Sequence, residues 1–368
     1  IAVPIDPQIN DDHLKYVIQE VEPALVLANQ SLGDHQAEVE DTYMSAHDQS
    51  FQYPCLDTRI DDPGDIVFTT GTTGKPKGVV LTQRNLVAAA RNINEFIGND
   101  SQDRELVPLP LSHSFGLGRL KCNMLMGGMV ILSEGFLLPG RLFDALDFWG
   151  ATGFSFVPAG FSLLAKLTGD KLGDYANQLK YIEIGSAPMP LEHKQHLMSL
   201  LPKTRICMHY GLTEASRASF IEMHESKHKL DSVGKSSPNV QIRIIDDDGG
   251  NLQEEEIGQI LIRGEMVMQK YWGNSDLTAE TLKHGWLHTG DVGYTDQSGY
   301  LYLTGRDSDT INIGGLKVSP IEIEDILKSL DGIEDCACVR IPDPQGLSGE
   351  AIKAVLVSGD SDPTMRPT

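Results

Sequence analysis

The clearest chemical signal in the sequence is a segment rich in hydroxyl groups, glycines and lysines at residues 65–82. It reads DIVFTTGTTGKPKGVVLT, with the polar part enclosed by two apolar runs of β type. Backbone N–H groups, hydroxyl donors and positive point charges are the groups that bind a polyphosphate. Only two residues separate Gly71 from Gly74, and no Ser or Thr follows Lys75, so the segment is not a Walker loop. The pattern predicts a different phosphate-binding loop, followed by a helix that begins at Thr82.

Three more motifs follow this loop along the chain. They are YGLTE at 210–214, WLHTGD at 286–291, and a stretch from Gly305-Arg306 through Gly314-Gly315 to EIE at 322–324. Together with residues 69–78, they resemble the motifs of AMP-forming adenylate-forming enzymes, which include acyl-CoA synthetases, aryl-CoA ligases, luciferases and amino-acid adenylation domains. The resemblance covers essentially the whole chain. It implies that a carboxylic acid and ATP form acyl-AMP and pyrophosphate, and that a thiol then takes the acyl group.

The resemblance also implies which residues bind ATP and magnesium. Thr69 and Lys75 would act on the β and γ phosphates. The remaining phosphate-loop residues would be Thr70, Gly71, Thr72, Thr73, Gly74 and Lys77. Glu214 would hold Mg²⁺, since magnesium is commonly bound by one or two carboxylates together with phosphate oxygens. Neutralising and aligning two anions in this way contributes up to about 7–11 kcal/mol to a reaction.

By the same resemblance, the nucleoside is held by residues far apart in the sequence. Tyr210 would stack on adenine, Asp291 would accept hydrogen bonds from the ribose hydroxyls, and Arg306 would reach the ribose or the α-phosphate. The rest of this expected set is Ser186, Ala187, Pro188, Gly211 and Thr213. The expected acid pocket consists of His113, Phe115, Phe161, Gly185 and Gly211, with His113 also a candidate catalytic group.

Two features bear on the substrate and the thiol acceptor. Residues 113–116 read HSFG and lack the Asp with which amino-acid adenylating domains bind the substrate ammonium, which disfavours an amino acid. Gly314-Gly315 followed by VSPIEIE resembles CoA ligases more than peptide-synthetase domains. We therefore expect a carboxylic acid substrate and CoA as acceptor, with a carrier-protein phosphopantetheine as the alternative.

Residues 129–214 alternate between short apolar runs and segments of helical spacing, which is typical of a parallel α/β sheet. Predicted strands are 129–132, 154–157, 180–184 and 205–208, and predicted helices are 141–149, 161–167 and 191–201. Strands connected through helices lie parallel, so the segments that leave them should meet at one sheet edge. Residues 158–160, 185–188 and 210–214 are those segments. Open α/β sheets bind ligands at that carboxyl edge.

Beyond residue 231 the pattern changes to strands at 240–245, 259–263 and 300–304, separated by turn clusters. A third unit begins near Gly305, with a capping box at Ser319 and Glu322, a helix over 321–330 and strands at 336–341 and 351–357. The predicted fold is α/β: a large N-terminal domain of parallel α/β sheets plus a β-rich subdomain, with a small mobile α+β C-terminal domain.

The predicted domains are an adenylation core at 1–304, divided into an α/β part (1–230) and a β-rich part (231–304), and the start of a C-terminal domain at 305–368. The family's hinge coincides with residues 307–309, where Ser308 departs from the usual Asp or Lys. Compared with the family, the chain opens well inside the N-terminal domain. It also ends before the usual C-terminal lysine, since no lysine follows Lys353. We therefore expect a piece of a longer enzyme, incomplete at both ends.

Composition limits the other classes of function. With 30 Lys plus Arg against 52 Asp plus Glu, the formal charge is -22, which disfavours nucleic acid as a partner. No apolar run is long enough for a membrane span, and the first residues show no signal peptide pattern. The five cysteines contain no CxxC pair, which favours reduced thiols and a cytoplasmic location.

Three alternatives remain at the level of sequence. Residues 224–228 read HESKH and fit the HExxH zinc-protease pattern, but they lack an apolar helix face, so a solvated loop is the favoured interpretation. A nucleotide-binding fragment without full catalysis would bind ATP or AMP and release no pyrophosphate. A luciferase-like oxygenation of acyl-AMP would share the same adenylation motifs.

Overall fold

A computed structural model provides the structure of the chain. It describes residues 1–24, 26–27, 36–37, 57–70, 76–133, 135–306, 309, 311–313, 316–330, 332–342 and 350–358. The helices are α1 (Asp11–Val21), α2 (Gln83–Ile97), α3 (Ser114–Met126), α4 (Pro139–Trp149), α5 (Pro158–Thr168), α6 (Leu191–Leu200), α7 (Ser275–Thr281) and α8 (Pro320–Lys328). The first strands are β1 (Val26–Leu27), β2 (Gln36–Ala37), β3 (Pro63–Thr70), β4 (Pro76–Thr82), β5 (Arg104–Val107), β6 (Met129–Leu132), β7 (Gly153–Phe156), β8 (Tyr181–Ile184), β9 (Arg205–Leu212) and β10 (Ala215–Glu222).

The later strands are β11 (Lys235–Ser236), β12 (Gln241–Ile245), β13 (Gly258–Arg263), β14 (Lys270–Tyr271), β15 (Leu282–Lys283), β16 (Trp286–Thr295), β17 (Leu301–Arg306), β18 (Ile311–Ile313), β19 (Leu316–Val318), β20 (Ile333–Pro342) and β21 (Glu350–Ser358). Within 129–208 the predicted alternation is confirmed, because each predicted strand and helix is present to within a few residues.

The largest sheet has seven strands in the order β11-β10-β9-β8-β7-β5-β6. The five strands from β5 to β9 are parallel, as the helical connections require, and β10 and β11 run antiparallel at one edge. The end predicted for the strand at 205–208 was wrong. β9 continues to Leu212 and turns directly into β10, so Tyr210 and Gly211 belong to the strand and do not lie in a loop that leaves it.

The main hydrophobic core fills the space between this sheet and helices α4, α5 and α6. Phe154 and Phe156 of β7 and Leu146 of α4 are all fully buried. Proline at the first helical position starts both α4 and α5 without losing a backbone hydrogen bond. This core holds the strand ends in place, so that the residues beyond β8 and β9 have fixed positions.

Two antiparallel sheets complete the part of the structure that carries the predicted site. One is the predicted β-rich region, in which β12, β13, β16 and β15 are neighbours and β17 pairs with β16. The other consists of β14, β4 and β3, and its β3-β4 hairpin carries the predicted phosphate loop. At the end of β4, Thr82 caps α2 through a capping box with Asn85, and α2 ends at Gly98, whose φ is 78°.

Residues beyond β17 form two hairpins, β18-β19 and β20-β21, with α8 packed against β20. The predicted strands of this region and its helix are confirmed. The capping box at Ser319 was wrong. The Ser319 hydroxyl donates to the Thr304 carbonyl oxygen, so it ties α8 to β17 and does not cap the helix. The expected hinge residues Asp307 and Ser308 lie outside the described residues.

Within the described ranges, none of the helices combines the length and the apolar character needed to span a bilayer. The four described cysteines are free thiols, at Cys122, Cys207, Cys336 and Cys338. Burial raises the pKa of Cys122 to about 11 and also raises the pKa of Cys207. Because thiolates are the reactive form, these two thiols are chemically quiet at neutral pH.

Candidate active site

The predicted phosphate loop is a β-hairpin. Thr69 on β3 is the cross-strand partner of Lys77 on β4, and Thr70 is the partner of Pro76. The tip itself, Gly71, Thr72, Thr73, Gly74 and Lys75, lies outside the described residues. Lys77 is half-buried, with its ammonium 6.0 Å from the centre of the Tyr271 ring. The hairpin therefore presents at least one of the two predicted lysines toward β14.

The predicted metal ligand Glu214 contacts the same tyrosine. It occupies the turn between β9 and β10, and Tyr271 donates its hydroxyl to Glu214 Oε1 at 2.7 Å. Tyr271 is in β14, which pairs with β4 next to Lys77. Burial and then the charge of Glu214 raise the pKa of Tyr271 above its usual range, so its hydroxyl stays a donor. Tyr271 was missed in the sequence, since it belongs to no motif and is separated from Glu214 by 57 residues.

The three residues predicted to bind the nucleoside are also brought into contact. Tyr210 donates its hydroxyl to Asp291 Oδ2 at 2.6 Å, and Arg306 Nε lies 3.1 Å from Asp291 Oδ1. Asp291 on β16 and Arg306 on β17 are cross-strand partners, so backbone pairing sets their approach. Tyr210 and Asp291 are buried, whereas Arg306 is half exposed. Burial and then the charge of Asp291 raise the pKa of Tyr210, which keeps it protonated.

The loop after β8 carries three more predicted residues. Ser186, Ala187 and Pro188 are all exposed, and they follow the buried Gly185 directly. Ser186 has φ 73°, a left-handed conformation that is uncommon for a residue with a side chain. Strained residues of this kind concentrate at ligand-binding sites. Thr213 lies in the β9-β10 turn next to Glu214 and is partly buried.

The expected acid-pocket residues are only partly brought together. Phe115 is buried, and its ring contacts the His209 ring edge-to-face, with 4.7 Å between the two ring centres. His209 also packs against Gly185, where a Cβ atom would lie 2.1 Å from the imidazole. Gly211 approaches the Arg217 backbone so closely that its own Cβ would lie 2.5 Å from Arg217 N. Phe115, Gly185 and Gly211 thus surround a pair of residues, His209 and Arg217, that the sequence did not single out.

The other two expected pocket residues lie elsewhere. His113 precedes α3 with 63% of its side chain exposed, and its Nε2 is 3.7 Å from Asp6 Oδ2. Phe161 is 1% exposed inside the main core, and its described ring contacts are with Phe156 and with His193 and His196 of α6. The structure therefore places His113 at the surface and Phe161 in the core, apart from the group around His209.

Behind Phe115 and Gly185 lies a buried ionic network that the sequence did not reveal. Arg119 pairs with both Glu105 and Glu183, and Glu183 in turn contacts Arg217 Nε at 2.9 Å and His209 Nδ1 at 2.8 Å. Glu105, Arg119 and Glu183 are fully buried. These residues come from five different elements, β5, α3, β8, β9 and β10, so no local motif could have predicted their contacts.

The charges of this network balance. The two glutamates and two arginines sum to zero, so the network is neutral when the His209 imidazole is uncharged. Burial lowers the pKa of His209, and the nearby Glu183 only partly offsets that effect. Burial alone would raise the pKa of Glu183, but Arg217 and Arg119 outweigh it and hold that pKa well below its usual range. Both effects agree with an ionised Glu183 and a neutral His209.

The HESKH segment does not form the helix that the zinc-protease pattern requires. Residues 223–228 form turns and no helix, and His224 Nε2 lies 3.0 Å from the Leu201 carbonyl oxygen. Among the residues that the structure describes, no group of three or more His, Cys, Asp or Glu side chains is arranged to hold a metal ion. The favoured interpretation of this segment as a loop is confirmed.

Comparison with known proteins defines the class. The AMP-binding enzyme family model matches residues 1–272, and the chain belongs to this family. It is 34% identical over 306 residues to a sulfoacetate–CoA ligase from Cupriavidus necator, an alignment that covers 81% of this chain and 57% of that protein. A feruloyl-CoA synthase from Amycolatopsis is 33% identical over 309 residues, or 83% of this chain and 62% of the relative. The chain thus spans about three fifths of the length of these two relatives.

Solved structures share the fold. The o-succinylbenzoate CoA synthetase (MenE) from Bacillus subtilis, in complex with the acyl-adenylate intermediate OSB-AMP, superposes with a TM-score of 0.84 at 25% identity. That alignment covers 97% of this chain and 73% of the other. A second structure of MenE contains ATP and a magnesium ion, and it matches with a TM-score of 0.81 at 25% identity, covering 96% and 74% of the two chains.

Proposed function

We propose that this protein activates a carboxylic acid with ATP to give acyl-AMP and pyrophosphate, and then transfers the acyl group to CoA. The carrying observation is one connected series of contacts. Lys77 lies against Tyr271, which bonds Glu214, and the strand that leads into Glu214 carries Tyr210, which bonds Asp291. Residues from four separate stretches of sequence are thereby gathered at the carboxyl edge of the main sheet, where open α/β folds bind ligands.

The polar groups of this series suit a nucleoside triphosphate. In the proposal, Thr69, Lys75, Lys77 and the other phosphate-loop residues bind the β and γ phosphates, which neutralises charge where the acid must approach. Asp291 accepts the ribose hydroxyls, and Tyr210 places its ring beside adenine together with Ser186, Ala187 and Pro188. Arg306, half exposed beside Asp291, contacts the ribose or the α-phosphate in this arrangement.

Glu214 is the proposed magnesium ligand. Its Oε1 accepts the Tyr271 hydroxyl, which fixes the direction of the carboxylate and, among the described residues, leaves Oε2 available to a cation. A single protein carboxylate fits Mg²⁺, which takes its other ligands from phosphate oxygens and water. When bound, the ion polarises the phosphates and offsets their charge.

Several further assignments belong to the same proposal. We place the acid against Phe115, Gly185 and Gly211, with His113 at the entrance and Phe161 supporting the pocket from the core. The adenylation core is residues 1–304, and a second unit begins at 305. CoA is the acceptor, with a carrier-protein phosphopantetheine as the second candidate. The free, buried cysteines are in keeping with the cytoplasm as the location.

Acid-dependent exchange of pyrophosphate into ATP, measured with Mg²⁺ over a panel of aryl, short-chain and medium-chain acids and amino acids, tests the proposal. We expect exchange with one class of acids. Glu214→Gln should reduce it by about 100-fold or more, in the range for loss of a charged group that stabilises a transition state. Adding CoA or a phosphopantetheinylated carrier protein to the same reaction then identifies the thioester product and the acceptor.

The matched control is Glu265→Gln, because Glu265 is an exposed glutamate paired with Arg84 outside the series. It should leave exchange within about twofold of the original rate, as expected for a surface pair. ATP binding without exchange for any acid, both in this chain and in one extended at both ends, would contradict the proposed activity and favour a nucleotide-binding role. Equal losses in the two variants would contradict the role of Glu214.

A further inference from the structure

A short segment at residues 267–272, which we call the linking segment, is hydrogen-bonded to both halves of the proposed site. It contains β14. On the side of the phosphate-loop hairpin, Gln269 N–H donates to the Val80 carbonyl oxygen at 3.0 Å, and Trp272 N–H donates to the Gly78 carbonyl oxygen at 2.7 Å. Together with the pairing of β14 and β4, these bonds attach the linking segment to the strand that carries the predicted lysine.

The linking segment also holds Glu214 at two points. Met268 N–H donates to the Glu214 carbonyl oxygen at 2.8 Å, and the Tyr271 hydroxyl donates to Oε1 of the Glu214 carboxylate at 2.7 Å. The adjacent residues Val267 and Ala215 form an isolated antiparallel bridge. The backbone and the side chain of Glu214 are therefore both bonded to a segment that is itself bonded to the hairpin.

Tyr271 is the residue whose side chain connects the two sides. Its backbone pairs with Val79 of β4, two positions beyond Lys77, and its hydroxyl bonds Glu214. Tyr271 is 7% exposed, and its N–H donates to Thr278 Oγ1 of α7 at 3.0 Å. A side chain fixed by packing and by hydrogen bonds holds the group that it contacts in one place. The Glu214 carboxylate thus has a set position relative to β4.

We propose that Tyr271 is a positioning residue that couples the magnesium ligand Glu214 to the phosphate-loop hairpin, so that Mg²⁺ and the triphosphate bind in one fixed arrangement. The inference rests on the proposed function, because it takes Glu214 to hold Mg²⁺ and the hairpin to hold the phosphates. Tyr271 contacts neither the metal nor the nucleotide in this arrangement and acts through Glu214. Residues that orient a metal ligand in this way commonly contribute about 10- to 100-fold to metal affinity or activity.

The effect of Mg²⁺ on the affinity for ATP tests this inference. Dissociation constants for ATP are measured by calorimetry, once with Mg²⁺ in excess and once with EDTA in place of Mg²⁺. Their ratio is the metal-dependent gain in affinity. For Tyr271→Phe we expect this gain to decrease by about tenfold, because the Glu214 carboxylate is then no longer held in one direction. The affinity in EDTA should stay within about twofold, because the hairpin itself is unchanged.

Glu214→Gln, alone and combined with Tyr271→Phe, shows whether Tyr271 acts through Glu214. We expect Glu214→Gln alone to lose most of the metal-dependent gain. The double variant should lose no more than Glu214→Gln alone, because the carboxylate that the hydroxyl positions is already gone. A merely structural role for Tyr271 would weaken ATP binding in EDTA as well, and its effect would add to that of Glu214→Gln.

Tyr302→Phe is the matched control. Tyr302 also donates its hydroxyl to a carboxylate, at 3.4 Å from Asp296 Oδ2, and neither residue belongs to the linking segment. Because this substitution removes the same kind of bond at a separate place, it should leave the metal-dependent gain within about twofold.

A spectroscopic measurement applies even if Tyr271→Phe lowers the stability of the protein. Mn²⁺ replaces Mg²⁺, and its electron paramagnetic resonance is recorded with ATP and without an acid. The unmodified protein should give one ordered Mn²⁺ signal. Tyr271→Phe should broaden that signal because the carboxylate takes several directions, and Glu214→Gln should give the signal of Mn²⁺ and ATP in solution.

Two outcomes would contradict the inference in different ways. An unchanged gain and an unchanged Mn²⁺ signal in Tyr271→Phe, together with their loss in Glu214→Gln, would overturn the inference and leave the proposed function intact. An unchanged gain in Glu214→Gln itself would instead remove the proposed magnesium ligand, and this inference with it.

Discussion

Two groups of charged residues lie on either side of β9 and differ in almost every respect. The proposed nucleoside group, Tyr210, Asp291 and Arg306, consists of motif residues and reaches the surface at Arg306. The ionic network of Glu105, Arg119, Glu183, Arg217 and His209 is buried, contains no motif residue and balances its own charge. The comparison separates two kinds of polar group: one is partly open to solvent, and in the other buried charges lie against opposite buried charges.

This difference predicts separate consequences for stability and for binding. Damage to the buried network should lower the free energy of unfolding, because each charge there depends on its partners. Damage to the nucleoside group should lower nucleotide affinity with a smaller effect on folding. Four measurements test this distinction.

Arg119→Ala should have the largest effect. The substitution removes the guanidinium that pairs with both Glu105 and Glu183, and it leaves these two carboxylates buried. Removing one partner of a buried ion pair costs about 3–5 kcal/mol in the free energy of unfolding, measured by urea denaturation. The control is Arg205→Ala, whose partner Glu225 is exposed, and it should cost less than about 1 kcal/mol. Similar losses in the two variants would contradict the special status of the network.

Asp291→Asn should act mainly on ligand binding. It weakens the hydrogen bonds with Tyr210 and Arg306 and removes the charge proposed to accept the ribose hydroxyls. Hydrogen bonds to a charged group contribute about 1.5–3 kcal/mol, so calorimetry should show roughly 10- to 150-fold weaker binding of ATP. Asp296→Asn, at the next turn and bonded to Lys229, should leave ATP affinity within about twofold. Loss of ATP affinity in both variants would count against the assignment.

The third effect is a pH dependence of stability. Burial lowers the pKa of His209 in the folded protein below its unfolded value of about 6.5. The unfolded chain therefore binds the proton first, and the free energy of unfolding should decrease as pH falls below about 6.5. The slope is at most about 1.4 kcal/mol per pH unit. His209→Gln should reduce the slope measured by urea denaturation between neutral and mildly acidic pH, and identical slopes would disprove a neutral buried His209.

Tyr210→Phe should give the smallest change. It removes the hydrogen bond to Asp291 but keeps the ring that is proposed to lie beside adenine. We expect a loss of about 0.5–1.5 kcal/mol in the free energy of unfolding and less than about threefold in ATP affinity. Tyr294→Phe, on the same strand as Asp291 with its ring stacked on Tyr302, is the control for loss of a hydroxyl. A large drop in ATP affinity for Tyr210→Phe would show that its hydroxyl, and not its ring, serves the nucleotide.

Much of the fold could be predicted from the sequence because its signals are local. Apolar periodicity predicted the strands and helices between 129 and 208, and parallel strands followed from the helical connections. The strands on either side of the phosphate loop followed from the two apolar runs, and the structure shows that they pair as a hairpin. The predictions that were wrong involved competition. The Ser319 hydroxyl donates to the Thr304 carbonyl oxygen of β17 and does not accept from a backbone N–H of its own helix, and β9 continued because β10 offered it a partner.

In the candidate site, too, some features follow from the sequence and others only from the tertiary structure. The sequence by itself determined that the chain carries phosphate-loop, Tyr-Gly-Leu-Thr-Glu and Thr-Gly-Asp motifs, since each is a short run whose residue types state their chemistry. Their roles remain predictions until the exchange and binding experiments are done. Only the tertiary structure decided that Tyr271 supports Glu214, and that Arg217 contacts Phe115. Those contacts join residues up to about a hundred positions apart, and such pairings are set by sheet register and packing, which no local pattern of residues encodes.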